Sequence, residues 1–302
     1  MKMIALNTES AFSRNSKQSI NYYTHRQKAF IQRKNDFLSI RVPQFSNRIK
    51  KTASIQLIKH QTMKSKQLLI YGIIVSIGLL FSSCWMMGPS VKGNGKVTEE
   101  VRHLKDFDQI KVSRGMNVYI TQGSPAKVVV IADNNLHEWI ETKVEGGVLK
   151  VSCNGNIRRA EEKKVMVTLE KLTGVKVNTG SNVYSQNQVK SEELELSANS
   201  GANITMDVNA QLLKADCSSG SNIILSGMAK TAELKGSIGA NLKGKELKVD
   251  RCKMRASGGA NVSASVADQL EAEASSGGNV VYYGEPASTE IDSSTGGNVN
   301  SR

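Results

Sequence analysis

From residue 179 onward, apolar and polar positions are fixed relative to a recurring Gly-x-Asn triplet. Its glycine stands at Gly180, Gly201, Gly220, Gly239, Gly259, Gly277 and Gly296, at intervals of 21, 19, 19, 20, 18 and 19 residues. Counting back from each glycine, positions −7, −5 and −3 are apolar or small in nearly every repeat. They read Thr173/Val175/Val177, Leu194/Leu196/Ala198, Leu213/Ala215/Cys217 and Ala232/Leu234/Gly236, then Cys252/Met254/Ala256, Leu270/Ala272/Ala274 and Thr289/Ile291/Ser293. A period of two with one wet face predicts a β-strand. After each asparagine comes an apolar residue: Val183, Ile204, Ile223, Leu242, Val262, Val280 or Val299. Each repeat therefore predicts at least two inward-facing strands joined by a Gly/Asn turn. A period near 19–20 residues is one solenoid coil. Parallel stacking at about 4.8 Å per rung lets each coil complete its neighbour's backbone hydrogen bonds and makes a rod on the order of 30 Å long.

The triplet needs no ligand to explain it. Glycine tolerates the positive φ of a tight corner. The amides of Asn182, Asn203, Asn222, Asn241, Asn261, Asn279 and Asn298 can bond the local backbone and one another from coil to coil. A row that binds sugar or ions is the alternative. Upstream, residues 106–178 read as short strands, "DQIKVS", "MNVYITQ", "KVVVIA", "VLKVSC" and "KVMVTLE", separated by turn residues. The predicted fold is all-β: an N-terminal β segment at 106–178, then a parallel β-solenoid (β-helix) over 179–302.

Charge divides the chain differently. Residues 1–66 hold 14 Lys/Arg against Glu9 and Asp36, and residues 67–83 hold no charge. Residues 84–302 carry 26 Lys/Arg and 25 Asp/Glu, so the chain's +13 belongs to its front and the rest offers no average attraction to nucleic acid. From Met63 the chain reads "MKSKQLLIYGIIVSIGLLFSSC", with Lys64 and Lys66 ahead of 14 uncharged residues, Leu68 to Phe81, then two serines and Cys84. That is the layout of a secretory signal, shorter than the roughly 20 residues a spanning helix needs. "FSSC" resembles a bacterial lipobox, although Phe81 stands where Leu is usual. The expectation is a signal over 63–83, lipidation at Cys84, and a Gly/Pro/Ser-rich tether over 84–105. Translation is then expected to start at Met63, which leaves 1–62 as a non-native or disordered basic extension. A basic nucleic-acid arm conflicts with export.

"GNGKVTEEVRHLKDFDQIKVSRGMNVYITQG", "VVVIADNNLHEWIETKVEGGVLKVS" and the "SGAN/SGSN/GGAN" coils, in that order, resemble the auto-transporter adhesin, head GIN domain family over roughly residues 93–300. The resemblance implies a secreted or lipid-anchored β-solenoid of a Bacteroidetes envelope, with no catalytic residues to carry over. Related lipoproteins often reach the cell surface when acidic residues closely follow the lipidated cysteine. "CWMMGPSVK" has none, so an outer-membrane lipoprotein facing the periplasm is expected at least as much as a surface-exposed one.

Candidate chemistry is sparse. Cys153, Cys217 and Cys252 form no CxxC, and the numbering places Cys217 and Cys252 inward as small buried hydrophobes. Outward positions −6 and −4 hold charges. Lys253 and Arg255 fall beside Glu271 and Glu273, and Glu271, Glu273, Glu290 and Asp292 put four carboxylates on adjacent rungs. These four could hold Ca²⁺ or be a solvated acidic face. No other cofactor is expected. A non-catalytic envelope module, adhesive or structural, that takes a polysaccharide or protein on its long side is the first reading. A β-helical polysaccharide lyase or hydrolase is the second. Short coils and few aromatics (Tyr184, Tyr282, Tyr283) weigh against it. The last coil, "GGNVNSR", shows no cap, which leaves self-association through the solenoid end open.

Overall fold

A computed structural model describes residues 89–302; the 1–62 extension, the 63–83 signal and Cys84 lie outside the described residues. Apart from one short 3-10 turn at Asn134–Leu136, the regular structure described consists of strands. In chain order these are β1 (Ser90–Lys92), β2 (Val97–Arg102), β3 (Gln109–Val112), β4 (Asn117–Gln122), β5 (Lys127–Asp133), β6 (Ile140–Glu145), β7 (Val148–Cys153), β8 (Asn156–Arg159) and β9 (Lys163–Leu169). The coils follow as β10 (Gly174–Asn178), β11 (Asn182–Ser185), β12 (Val189–Asn199), β13 (Asn203–Cys217), β14 (Asn222–Gly236), β15 (Asn241–Ala256), β16 (Asn261–Ala274), β17 (Asn279–Tyr283), β18 (Ser288–Ser293) and β19 (Asn298–Ser301).

The coils stack as a parallel β-solenoid with triplet on triplet. Asn203 pairs with Asn222, Asn222 with Asn241, and Asn241 with Asn261. The inward positions close into one core, with Leu194, Leu196, Leu213, Leu234 and Met254 fully buried. Coils of unequal length keep this alignment because the surplus is absorbed mid-strand. Lys243 and Glu246 of β15 oppose Ile224 and Ser226 of β14, a bulge of one residue. Two expectations fail at the ends. Thr173 is half-buried, because Leu172 takes the inward place beside it. Thr289, Ile291 and Ser293 are exposed, Ile291 by 49%, because β18 is covered by β16 on one side and by no described strand on the other.

The solenoid begins earlier than position 179. β3 pairs in parallel with β10, and β4 with β11, so "RGMNVYI" is an eighth triplet, Gly115-Met116-Asn117, with Ile110 and Val112 at its −5 and −3 positions. Between β4 and β10 the chain inserts β5 to β9. β7 and β9 add parallel strands below β3 and β4, and antiparallel β6, β5 and β2 close that end. A polar-faced terminal layer of this kind is what a repeat stack requires. From residue 89 on, the tether expected over 84–105 is folded instead. β1 pairs with β8 and β2 with β5, while Asn94 and Asn135 clasp the loop between them (Asn135 Oδ1 accepts from Asn94 N at 3.1 Å, and Asn135 Nδ2 donates to Lys92 O at 2.9 Å). Val91 packs on the core and supplies the apolar anchor that the Gly/Ser-rich composition concealed.

At each corner two consecutive residues have positive φ, as in a type I′ turn. Examples are Ser200/Gly201 (56°/71°) and Ile238/Gly239 (50°/67°). The turn closes through Ala202 N to Asn199 O (3.3 Å), and Gly201 N donates onward to Ser219 O of the next coil (3.1 Å). Only the second residue is regularly glycine. Ile238 is the sole β-branched aliphatic among the first residues, and it is 65% exposed. A β-branched side chain in the left-handed region is strained by about 1 kcal/mol or more. Ile238→Asn is expected to stabilise by about 1 kcal/mol, read as a raised midpoint in thermal unfolding.

Candidate functional site

Each coil shows solvent two flat faces. The strand halves that follow the corners form the Asn face, and the halves that precede them form the charged face. On the charged face the cations and carboxylates pair across rungs: Lys176 with Glu195 (3.3 Å), Lys214 with Glu193 (2.7 Å), Lys235 with Asp216 (3.7 Å), and Lys253 with Glu271. Arg255 holds Glu273 through two bonds, 2.7 and 3.0 Å, and keeps its carboxyl below the usual range. The predicted pairing of the Lys253/Arg255 rung with the Glu271/Glu273 rung is therefore present.

The four carboxylates do stand on adjacent rungs, with Glu271 opposite Glu290 and Glu273 opposite Asp292. They do not converge. Glu271 and Glu273 turn to Lys253 and Arg255, and among the described residues no three acidic, His or Cys side chains are placed to hold one ion. Glu290 and Asp292 join no ion pair among the described residues, whereas the rungs from Lys176 to Glu273 pair their charges across one another.

The Asn face is differently built. Its inner row is the asparagine ladder, in which each Nδ2 donates to the preceding Oδ1. The distance is 2.8 Å for Asn182 to Asn117, Asn203 to Asn182 and Asn222 to Asn203, 3.1 Å for Asn241 to Asn222, and 3.0 Å for Asn261 to Asn241. The ladder weakens to 3.5 Å at Asn279, and Asn300 rather than Asn298 donates to Asn279 (3.4 Å). Asn298 keeps its backbone register but makes no ladder bond. Because the amides satisfy one another, the row is a structural element. From Ser181 to Gly278 residue x of the triplet is small and buried at the corner, whereas Met116 fills that place in the triplet at Gly115; Ser181 Oγ accepts from Gly115 N at 3.0 Å.

Two residues beyond each asparagine runs an outward row: Tyr119, Tyr184, Thr205, Ile224, Lys243, Ser263 and Val281, each in register with the next. Tyr119 and Tyr184 stack with ring centroids 5.2 Å apart and planes at 23°. Ile224 and Met228 are 45% and 51% exposed. Lys245 Nζ lies 5.5 Å from the centre of the Tyr283 ring. These groups face solvent with few partners in the chain.

Where the insertion rejoins the stack there is a polar cleft of about 730 Å³, lined by residues that include Gln109, Gln122, Thr173, Lys190 and Glu192. Gln122 braces it: its Oε1 accepts from Lys190 N (2.7 Å), and its Nε2 donates to Glu170 O (3.0 Å) and Lys190 O (2.9 Å).

The three described cysteines are unoxidised and buried. Burial pushes the Cys252 thiol up to about 12, far from a nucleophile's range. Of the histidines, His137 is committed to Thr98 (2.9 Å) and Glu100 (3.4 Å).

The profile of the family described as "Putative auto-transporter adhesin, head GIN domain" matches residues 106–286. The chain belongs to this family. The head GIN match starts just before β3 and ends between β17 and β18, so it takes in the insertion together with the solenoid. Among solved structures, a putative adhesin from Bacteroides fragilis NCTC 9343 superposes with a TM-score of 0.66 at 17% identity, over 70% of this chain and 100% of that one. A putative adhesin from Parabacteroides distasonis ATCC 8503 gives 0.57 at 21%, over 71% and 100%. A protein of the same organism called a putative lipid binding protein gives 0.57 at 17%, over 71% and 100%. At these identities the likeness is one of fold. No curated protein matches the chain.

Proposed function

We propose that this protein is a non-catalytic binding module of the bacterial cell envelope, anchored by a lipid at Cys84, that takes an extended polysaccharide or protein ligand along its Asn face. The observation that carries the reading is the contrast between the faces. From Lys176 to Glu273 the charged face is taken up by its own cross-rung ion pairs, whereas the Asn face offers a stacked Tyr119/Tyr184 platform at the head of a row of groups with few partners. Rungs about 4.8 Å apart suit a ligand that makes repeated small contacts. Aromatic faces supply sugars and peptides with contact area at little entropic cost. The head GIN family and the adhesin-like neighbours agree with a binding role at the envelope, on either side of the outer membrane.

A glycan array, with a lyase and hydrolase assay on every hit, tests this. The expected result is binding without product release, reduced about tenfold by Tyr184→Ala and unchanged by Lys214→Ala on the charged face. Turnover of a bound glycan would make the protein an enzyme, and binding insensitive to Tyr184→Ala would move the site off the Asn face.

A further inference from the structure

The end of the domain at which the described chain begins has a character of its own. β1 and β8 form a two-stranded parallel sheet, with Ser90 opposite Asn156, Val91 opposite Ile157 and Lys92 opposite Arg159. Val91 and Ile157 pack on the core, so the other side faces out. Lys92, Arg158 and Arg159 are exposed there, and neither strand contains an acidic residue. None of the three joins an ion pair among the described residues, although the cations of the charged face are paired rung after rung. Trp139 is half-buried beside them. Its ring crowds Gly155, which immediately precedes β8, to the point that a Cβ there would lie 2.9 Å from it.

This is the composition of a membrane-interface contact: basic side chains with an amphipathic indole among them. Chain connectivity adds a second, independent reason. Six peptide links separate Cys84 from Ser90, a reach of at most about 20 Å. A lipid on Cys84 would therefore bring this end, before any other, to a bilayer surface. The other run of cations, Lys243, Lys245 and Lys248 on β15, is interrupted by Glu246 and lies several rungs along the stack.

We infer that the β1–β8 end lies against an anionic phospholipid surface, with Lys92, Arg158 and Arg159 on its headgroups, so that the solenoid projects away and the Asn face stays open. The inference rests on the anchoring at Cys84 proposed above. Each basic residue at such a surface changes partitioning by about fivefold, and the attraction falls off within a Debye length.

The test uses the acylated protein in vesicles of phosphatidylcholine alone or mixed with phosphatidylglycerol. Amide exchange is followed at β1 and β8. Since the chain has two tryptophans, quenching of Trp139 by brominated lipid is followed in a Trp85→Phe background. Protection of β1 and β8 and quenching of Trp139 are expected in the anionic vesicles. Both should be reduced by high salt and lost in a Lys92→Glu/Arg158→Glu/Arg159→Glu variant whose β14–β16 exchange is unchanged. Equal exchange in both vesicle types, with the protein floating on each, would overturn the orientation and leave the anchor standing. Protein that floats with neither, together with native protein lacking an acyl mass on Cys84, would overturn the anchor and the orientation together.

Discussion

Gly227→Ala is expected to destabilise the solenoid by about 3 kcal/mol or more. Gly227 lies within β14 opposite Val208 of β13, at a φ of 98°. A side chain there meets two obstacles at once. The backbone angle is one that L-residues rarely adopt, and the Cβ would fall well inside contact of the Val208 carbonyl oxygen and 2.5 Å from Asp207 Oδ1. Val208 belongs to the inter-coil backbone ladder and cannot retreat without breaking it. Gly220, at a corner, is the comparison. Its φ of 68° is also positive, but a Cβ there meets nothing within 4 Å. Gly220→Ala should therefore cost only the angular strain, about 1 kcal/mol. Chemical denaturation of both variants checks the difference. Amide exchange should place the loss in Gly227→Ala at the interfaces of β14 with its neighbours, since a repeat stack need not unfold as one unit. Equal midpoints for the two variants would refute the argument.

The solenoid was legible in the sequence because its corner is made by two residue types with separate reasons to be there. Glycine relieves the second corner angle, and asparagine bonds its counterparts in the coils before and after. Together they mark register well enough to place Leu196, Leu213 and Cys217 inward by counting. Counting failed where a local rule was overridden by a long-range contact. Gly115-Met116-Asn117 is the same corner, but 65 residues separate Asn117 from the Asn182 that donates to it. The insertion hid the period. The left-handed residue before each glycine was hidden for another reason. Ser or Thr stands there at Thr179, Ser200, Ser219, Ser276 and Thr295, but Arg114 and Ile238 adopt the same angle without a short hydroxyl side chain, so the turn and the cross-rung bond of Gly115 or Gly239 after them impose it.

The candidate site was less legible than the fold. Charges at −6 and −4 could be paired on paper, since parallel in-register stacking sets neighbours directly, and the pairs of Lys253 and Arg255 followed. Of the acidic row beyond them, Glu271 and Glu273 turn to those two cations, while Glu290 and Asp292 join no ion pair among the described residues. On the Asn face the stacked Tyr119 and Tyr184 come from either side of the insertion, and the cleft at Gln122 exists only because the insertion leaves and rejoins there. Both features depend on a topology that no local pattern announces. A binding surface of this kind comes from the interruption of the repeat more than from the repeat itself.

The insertion has its own keystone, and removing it is the other large effect expected. Asp133, at the end of β5, is fully buried, and its carboxylate takes three backbone N–H groups: Gly95 on Oδ2 at 2.7 Å, and Glu161 and Glu162 on Oδ1 at 3.0 and 3.2 Å. Those donors come from the loop before β2 and the loop before β9, so one side chain joins three segments of the cap. Burial alone would raise its pKa. The bonds from Gly95, Glu162 and Glu161 outweigh it, and the net shift is downward. Asp133→Ala removes the acceptor shared by all three donors and the contact that joins the three segments, and is expected to cost about 3 kcal/mol. Asp133→Asn keeps one oxygen for Glu161 and Glu162 but sets an N–H₂ against the Gly95 N–H, so its cost should fall between wild type and alanine. The pH dependence follows from the sign of the shift. A carboxylate whose folded pKa is lowered contributes fully above the unfolded value of about 3.9. Below that pH the unfolded chain takes up the proton first, and the contribution is lost as pH falls through the folded pKa. Amide exchange in β1, β2 and β9 should accelerate in Asp133→Ala at neutral pH while β13–β15 hold. The gap between variant and wild type should narrow toward pH 3, because protonation then weakens the same bonds in the wild type. A gap that widened on acidification would mean that Asp133 is buried as the neutral acid and that the three N–H groups do not hold it charged.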